Sequence, residues 1–204
     1  MAKESKQRFV LNLKLNTELW QEDILNKRFE IGRHLYNSLL GVALKRYKEM
    51  IKTKRWRENQ KNISEIYKSN SDKNKARKLA KSYFDVKSDM LKEFRLSEYS
   101  LHEDVKNMQH HFKNNIDSRT AQQIAKNLWK SYDKLLFGKG EEVHYKRYET
   151  FNSFESNDNK TGIRFKNNKI LWLGLNIPVK INYNNPYEYQ AMQNDIAYCR
   201  IVRK

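Results

Sequence analysis

The chain opens on an alternation. In "RFVLNLKL", Phe9, Leu11, Leu13 and Leu15 share one parity, and Arg8, Asn12 and Lys14 take the other, with Val10 the exception. Period two predicts a half-buried strand. "NTELWQEDIL" then offers Asn16 or Thr17 as a helix N-cap. From about Leu19 to Arg57 the spacing is helical. Ile24, Ile31, Leu35, Leu39 and Val42 form one stripe, which Tyr36, Leu40, Ala43, Tyr47 and Ile51 widen. "KSNSDKNK" is a polar break. A second helix follows from about Asp72 to Phe94, with Ala76, Leu79, Tyr83, Val86, Met90 and Phe94 inward. Ser97 or Ser100 caps a third, ending near Phe112. "DSRTAQQIAKNLWKSYDKLLFGKG" is the last long helix. It begins at an Asp/Ser cap, turns Ala121, Ile124, Ala125, Leu128, Trp129, Tyr132, Leu135 and Leu136 to one side, and is stopped by Gly138.

After Gly140 the period returns to two. Strands are expected near 142–148, 161–166, 169–173, 176–182 and 196–203, with a short helix at about 186–194. One strand, a block of helices and then many strands implies an α+β fold. A lone eight-residue strand is not stable. The simplest topology therefore returns it to the C-terminal strands, as a small antiparallel β-barrel of residues 1–16 and 139–204 with a helical bundle, 17–138, inserted.

Charge narrows the function. The 204 residues carry 41 Lys and Arg against 24 Asp and Glu, a net +17. Such self-repulsion points to a polyanionic partner, nucleic acid before an acidic membrane surface, because no apolar stretch approaches a membrane span. Aromatics at 12% argue against disorder. A single cysteine, Cys199, excludes a disulfide scaffold and a Cys-type zinc site within the chain. With no signal-peptide pattern at the start, the expected setting is a reducing cytoplasm.

Two helical segments concentrate the cations. Lys45–Lys61 holds Lys45, Arg46, Lys48, Lys52, Lys54, Arg55, Arg57 and Lys61 against Glu49 and Glu58. Lys73–Lys92 holds Lys73, Lys75, Arg77, Lys78, Lys81, Lys87 and Lys92 against Asp85 and Asp89. One such face is ordinarily just solvated; two favour phosphate contact, with Lys45, Arg46, Lys52 and Arg55 the leading candidates. "HYKRYETF" sets Tyr145 and Arg147 on one strand face and Lys146 and Tyr148 on the other. Tyr145 and Tyr148 beside Lys146 and Arg147 suit base stacking next to phosphate-binding cations; Tyr145 as a barrel-core residue is the open alternative. Arg164, Lys166, Arg200, Arg203 and Lys204 add charge to the same region.

Catalytic chemistry has little support. In "HEDVKNMQHH" the position four after His102 is Lys106, and His110 and His111 point about 100° apart on a helix. Asp85, Asp89 and Glu93 lie along one helix among lysines, as ordinary charge pairs do, whereas a two-metal nuclease needs carboxylates converging from several elements. Cys199, beside apolar residues, reads as packed rather than nucleophilic. No catalytic residue, metal site or cofactor is expected in this chain.

Four stretches together resemble the TnpB family of transposon-encoded RNA-guided nucleases, relatives of type V CRISPR effectors. "GRHLYNSLLGVALKRYKEM" resembles its first helix. Gln122 to Tyr132, Q-x-x-A-K-N-L-W-K-S-Y, resembles the helix returning to its barrel. "VHYKRYETFNSFESNDNKTGIRF" resembles its Phe-x-Arg-Phe…Ser-Phe strand pair, with Tyr145 and Tyr148 at the aromatic places. "YCRIVRK" resembles the strand leading to its nuclease domain. The resemblance covers nearly the whole chain, although Thr53 to Phe112 matches only in being helical. It implies a split wedge barrel with an inserted recognition lobe, and two partners: a structured guide RNA and double-stranded DNA next to a short motif. The family's catalytic carboxylates and Cys-rich zinc motif match no positions here, so the chain looks like the non-catalytic amino-terminal portion. DNA-motif contacts would fall to Ser118, Arg119, Gln122 and Gln123, with Arg164, Lys166, Asn167 and Asn168 on the barrel; Gln and Arg suit base edges. The alternatives from the residues are a stand-alone repressor-like regulator and a module that dimerises through its helices.

Overall fold

The computed structural model describes residues 9–137, 140 and 142–204. Arg8, the Gly138 helix stop and the domain boundary at 138/139 lie outside them. The fold is α+β. Strand β1 (Lys14–Leu15) precedes six helices: α1 (Leu19–Ile51), α2 (Lys54–Ser69), α3 (Lys73–Leu79), α4 (Lys81–Glu93), α5 (Glu98–His110) and α6 (Ser118–Leu136). Then come β2 (Ser153–Glu155), β3 (Arg164–Lys166), β4 (Lys169–Trp172), β5 (Leu175–Lys180), the short helix α7 (Pro186–Met192) and β6 (Arg200–Val202).

The strand of the alternating N-terminus is much shorter than its pattern, but it does return to the C-terminal strands. Lys14 pairs with Lys180 and Leu15 with Val179, antiparallel. The strands form a four-stranded sheet, β1-β5-β4-β3, and a separate β2-β6 ribbon. Among the described residues these two do not hydrogen-bond into the closed barrel expected. The strand expected at 142–148 is absent as well. Residues 142–147 run without regular structure into a single 3₁₀ turn, Tyr148–Thr150. A long-range contact competes with the strand: the Asn37 side chain takes both ladder positions of Lys146, accepting from its N–H (2.8 Å) and donating to its carbonyl (2.9 Å).

The first helix begins at Glu18, whose N–H donates to Gln21 Oε1 (3.1 Å), rather than at Asn16 or Thr17. It ends at Ile51 because Thr53 opens a new helix, its Oγ1 accepting from Trp56 N–H (3.2 Å) while donating to Met50 O (2.7 Å). The second expected helix bends at the buried Ala80 into α3 and α4. That bend turns Leu79, read as inward, out to 53% exposure. Ser97 caps α5 and Asp117 caps α6, the latter accepting from Thr120 N–H at 2.9 Å.

Helices and strands share one apolar core. Tyr132 donates from α6 to Ala43 O of α1 (3.1 Å). Trp129, expected to pack, is half-buried at the edge of that core, 6.4 Å from the Tyr132 ring. Gly32 allows the ribbon to sit on α1: a Cβ there would lie 2.5 Å from Phe154 Cζ and 2.6 Å from Phe151 Cε1. A helix-interior glycine costs about 1 kcal/mol relative to alanine, and aromatic burial against it offsets that. No described helix is long and apolar enough to cross a membrane.

Candidate nucleic-acid interface

The sheet has a covered face and an open one. Ile170, Trp172, Leu175 and Ile177 point into the core, with the Trp172 ring 5.0 Å from Phe154. Alternation puts the intervening residues outside. Register aligns them in rows across the strands: Arg164, Leu171 and Asn176; then Lys166, Lys169 and Pro178; then Lys180 beside Lys14. Arg164, Lys166, Lys169, Lys180 and Lys14 are all exposed. None of these five forms an ion pair among the described residues. No acidic side chain stands in the outward rows of this paired sheet. Neighbouring strands lie about 4.8 Å apart and same-face residues about 6.6–7 Å apart, so the five cations are spaced on the scale of successive phosphates.

One edge of this face adjoins the start of α6. The loop before β3 passes Gly162 within 3.1 Å of Asp117 Oδ1 and 3.6 Å of Arg119 Cβ, measured from a Cβ built on the glycine. Asp117 Oδ2 accepts from the indole of Trp172 (2.8 Å). Exposed Ser118 and Arg119 are thereby held near the Arg164 edge. Arg119 also faces Asp158, whose carboxyl is kept below its ordinary range by the N–H groups of Lys160 and Thr161 and, secondarily, by this arginine. Compared with protein-family models, curated proteins and solved structures, the chain matches none of them. The geometry alone therefore carries the reading of this face.

The other expected contacts divide. Asn167 and Asn168 form the β3–β4 turn, with φ of 51° and 58°, at the far end of the hairpin from Arg119. The four residues of β4 separate the two ends by roughly 13 Å. Gln122 is half-buried, and Gln123 is buried at 3% exposure. The Gln123 amide donates inward to Glu155 (3.1 Å) and Asn127 (3.3 Å), which removes it from any DNA motif.

Several cations expected to meet RNA instead hold the protein together. Arg203 lies 5.0 Å over both the Phe29 and Tyr148 rings and donates to Tyr148 O (2.8 Å). Arg200 pairs with Glu155 across the ribbon. Arg46 forms a forked pair with Asp104 of α5. Lys146 rests its ammonium 5.6 Å over the Tyr36 ring. Arg55 pairs with Glu93 at 3.2 Å, whereas Lys45, Lys52 and Arg147 are exposed and make no ion pair among the described residues. Tyr145 and Tyr148, 55% and 57% exposed, are not core residues.

Lys87, read as one of a phosphate-binding row, is buried. It donates to Leu136 O (2.7 Å) between the Trp56 and Phe137 rings, and burial lowers its pKa. Cys199 is packed, and burial raises its thiol pKa despite a backbone hydrogen bond from Phe165 that lowers it. Asp89 and Glu93 pair with Lys92 and Arg55. Among the described residues no three His, Cys, Asp or Glu side chains converge as metal ligands would. Between α6 and residues 146–155 lies a polar cavity of about 240 Å³, lined by Gln123, Asn127, Glu155 and Lys146 among others.

Lys14, Lys169 and Lys180 were the residues missed by the sequence reading. For Lys14 and Lys180 a signal was present, since each shares the parity of polar neighbours in an alternating run; Lys169, in KILW, has the apolar Leu171 at its parity. The register that aligns them is long-range and absent from any one segment.

Proposed function

We propose that this chain binds nucleic acid, with the outer face of the β1-β5-β4-β3 sheet as its principal phosphate-contacting surface. The observation that carries the reading is the set of five exposed cations on one sheet face, unpaired among the described residues and with no acid in their rows. A solvated face needs neither feature. The excess charge of α1–α4 supports it: Lys45–Lys92 holds sixteen Lys and Arg against six Asp and Glu, ten of the seventeen net charges. Tyr145 and Tyr148, exposed beside Arg147, remain suited to stacking.

The finer reading is a non-catalytic amino-terminal part of a TnpB-like RNA-guided nuclease, holding a structured guide RNA and the DNA duplex next to a short motif. The four quoted resemblances support it. So does the strand order, in which an N-terminal strand rejoins the C-terminal strands around a helical insert, as a split wedge-like barrel requires. Ser118, Arg119 and Arg164 are the motif-contacting residues that this reading keeps.

A filter-binding titration of the purified chain over salt, with structured RNA and duplex DNA, tests the proposal. Five phosphate contacts give a log–log slope of about −4 to −5 on duplex DNA. Affinity should therefore fall about 10²–10³-fold between about 50 and 200 mM salt. A flat response, or no binding to either polymer at low salt, overturns the function. Strong preference for one structured RNA over mixed RNA of equal length supports the finer reading; equal affinity for both counts against it.

A further inference from the structure

The sheet closes two hairpins with the same kind of turn and uses very different residues to do it. Lys166 pairs with Lys169 and Trp172 with Leu175, so each loop has two residues. Both central residues of each loop have positive φ, as a type I′ turn requires. At the β3–β4 end these are Asn167 and Asn168, which tolerate that conformation. At the β4–β5 end they are Leu173 (φ 41°) and Gly174 (φ 79°). The glycine is suited to its place, but the leucine is not. A bulky side chain in the left-handed region is strained, and Leu173 gains little burial in return, being 39% exposed.

The protein holds this unfavourable tip firmly. Arg28 of α1, only 3% exposed, donates from Nη1 to Trp172 O (2.9 Å) and from Nη2 to Leu173 O (2.7 Å). Its guanidinium also lies 4.6 Å over the Trp172 ring. Burial lowers its pKa to about 10 against the raising influence of Asp117. A buried arginine that makes no carboxylate hydrogen bond among the described residues is thus committed to fixing one exposed leucine. Beneath the tip, on the outer face, stands the row of Arg164, Leu171 and Asn176, a phosphate-binding side chain, an apolar one and a base-edge donor and acceptor.

We infer that Leu173 is an apolar wedge that enters a base step of a nucleic-acid duplex whose backbone lies on the cationic sheet face. Proteins that kink duplexes insert Leu, Phe, Ile, Met or Pro between base pairs and anchor the flanking phosphates with cations. Strain retained at an exposed, rigidly held apolar residue is the signature of a side chain kept for what it touches. The inference rests on the nucleic-acid reading above.

Short duplexes carrying 2-aminopurine at a TA or CA step, the steps easiest to unstack, test it in DNA and RNA versions. Fluorescence reports unstacking, and filter binding on the same duplexes reports affinity separately. The intact chain should bind and raise the fluorescence. Leu173→Asn suits the turn better, so it should melt no lower and keep the salt slope, yet lose most of the fluorescence rise. Leu173→Met should retain that rise. A rise in only one polymer supports the wedge and assigns it to that duplex. Bound duplex without a rise, or an equal rise with Leu173→Asn, overturns the wedge and leaves the nucleic-acid reading standing. Failure of the unaltered chain to bind either duplex or structured RNA sinks both.

Discussion

The outer sheet face and the edge built from residues 145–148 and 200–203 are both basic, yet they use their cations in opposite ways. On the sheet, Arg164, Lys166, Lys169, Lys180 and Lys14 stand on the face opposite the core and form no ion pair among the described residues. On the edge, Arg203 is sandwiched between Phe29 and Tyr148, Arg200 is paired with Glu155 and Lys146 lies over Tyr36. A cation next to aromatic residues in sequence is as easily recruited by the protein's own rings and carbonyls as by a nucleic acid. A cation on the solvent side of a paired strand is recruited where an acid stands opposite it, as Glu155 does for Arg200, and no acid stands in the outward rows of the sheet. Local density of charge is thus a poor guide to an interface; the absence of internal partners is a better one.

The contrast breaks most directly on the sheet. Replacing Lys166, Lys169 and Lys180 together by alanine should weaken duplex binding about 10²–10³-fold at 0.1 M salt and flatten the salt slope by about three units. Melting should be nearly unchanged, since exposed side chains away from special contacts alter stability by about 0.5 kcal/mol or less. An unaltered slope would remove the sheet from the interface.

Arg203→Ala should do the reverse. Losing a charged hydrogen bond and two ring contacts should cost about 2–4 kcal/mol, read by urea unfolding, with no change in slope for the fraction still folded. A slope reduced by a full unit with intact stability would return Arg203 to the RNA-binding set. Arg46→Ala, which removes the forked pair with Asp104, should behave alike at about 2 kcal/mol.

Lys87 gives the smallest and most specific effect. Burial lowers its pKa below the ordinary 10.5. Between the lowered value and 10.5 the unfolded chain holds the proton more tightly than the folded one, so stability from this group rises with pH. Below that window both states are charged and the full penalty of burying the ammonium is present. Comparing unfolding of the native chain and Lys87→Met at pH 7 and pH 10, the difference should move in favour of the native chain at the higher pH. A constant difference would mean that the ammonium is effectively solvated.

Much of the fold was legible because it depends on local period and caps. The α6 stripe from Ala121 to Leu136, with its Asp117 cap, and the Ser97 cap of α5 were readable from spacing alone. The breaks at Thr53 and Ala80 were not. The stripe runs through Thr53, where a side-chain bond to Trp56 N–H competes with helix continuation, and no Pro or Gly marks Ala80. Residues 142–148 alternate as a strand should, but Asn37, more than a hundred positions earlier, takes up both backbone groups of Lys146 in their middle.

By itself the sequence determined the charge, the helical block between strands and the alternation that sorts each strand into an inner and an outer set, because composition and period are properties of neighbours along the chain. The tertiary structure alone decided which cations remain free, since an ion pair or a ring stack depends on residues distant in sequence meeting in space. It also decided that Leu173 stands strained and exposed on a turn gripped by Arg28, because register and a contact spanning 145 positions set that conformation.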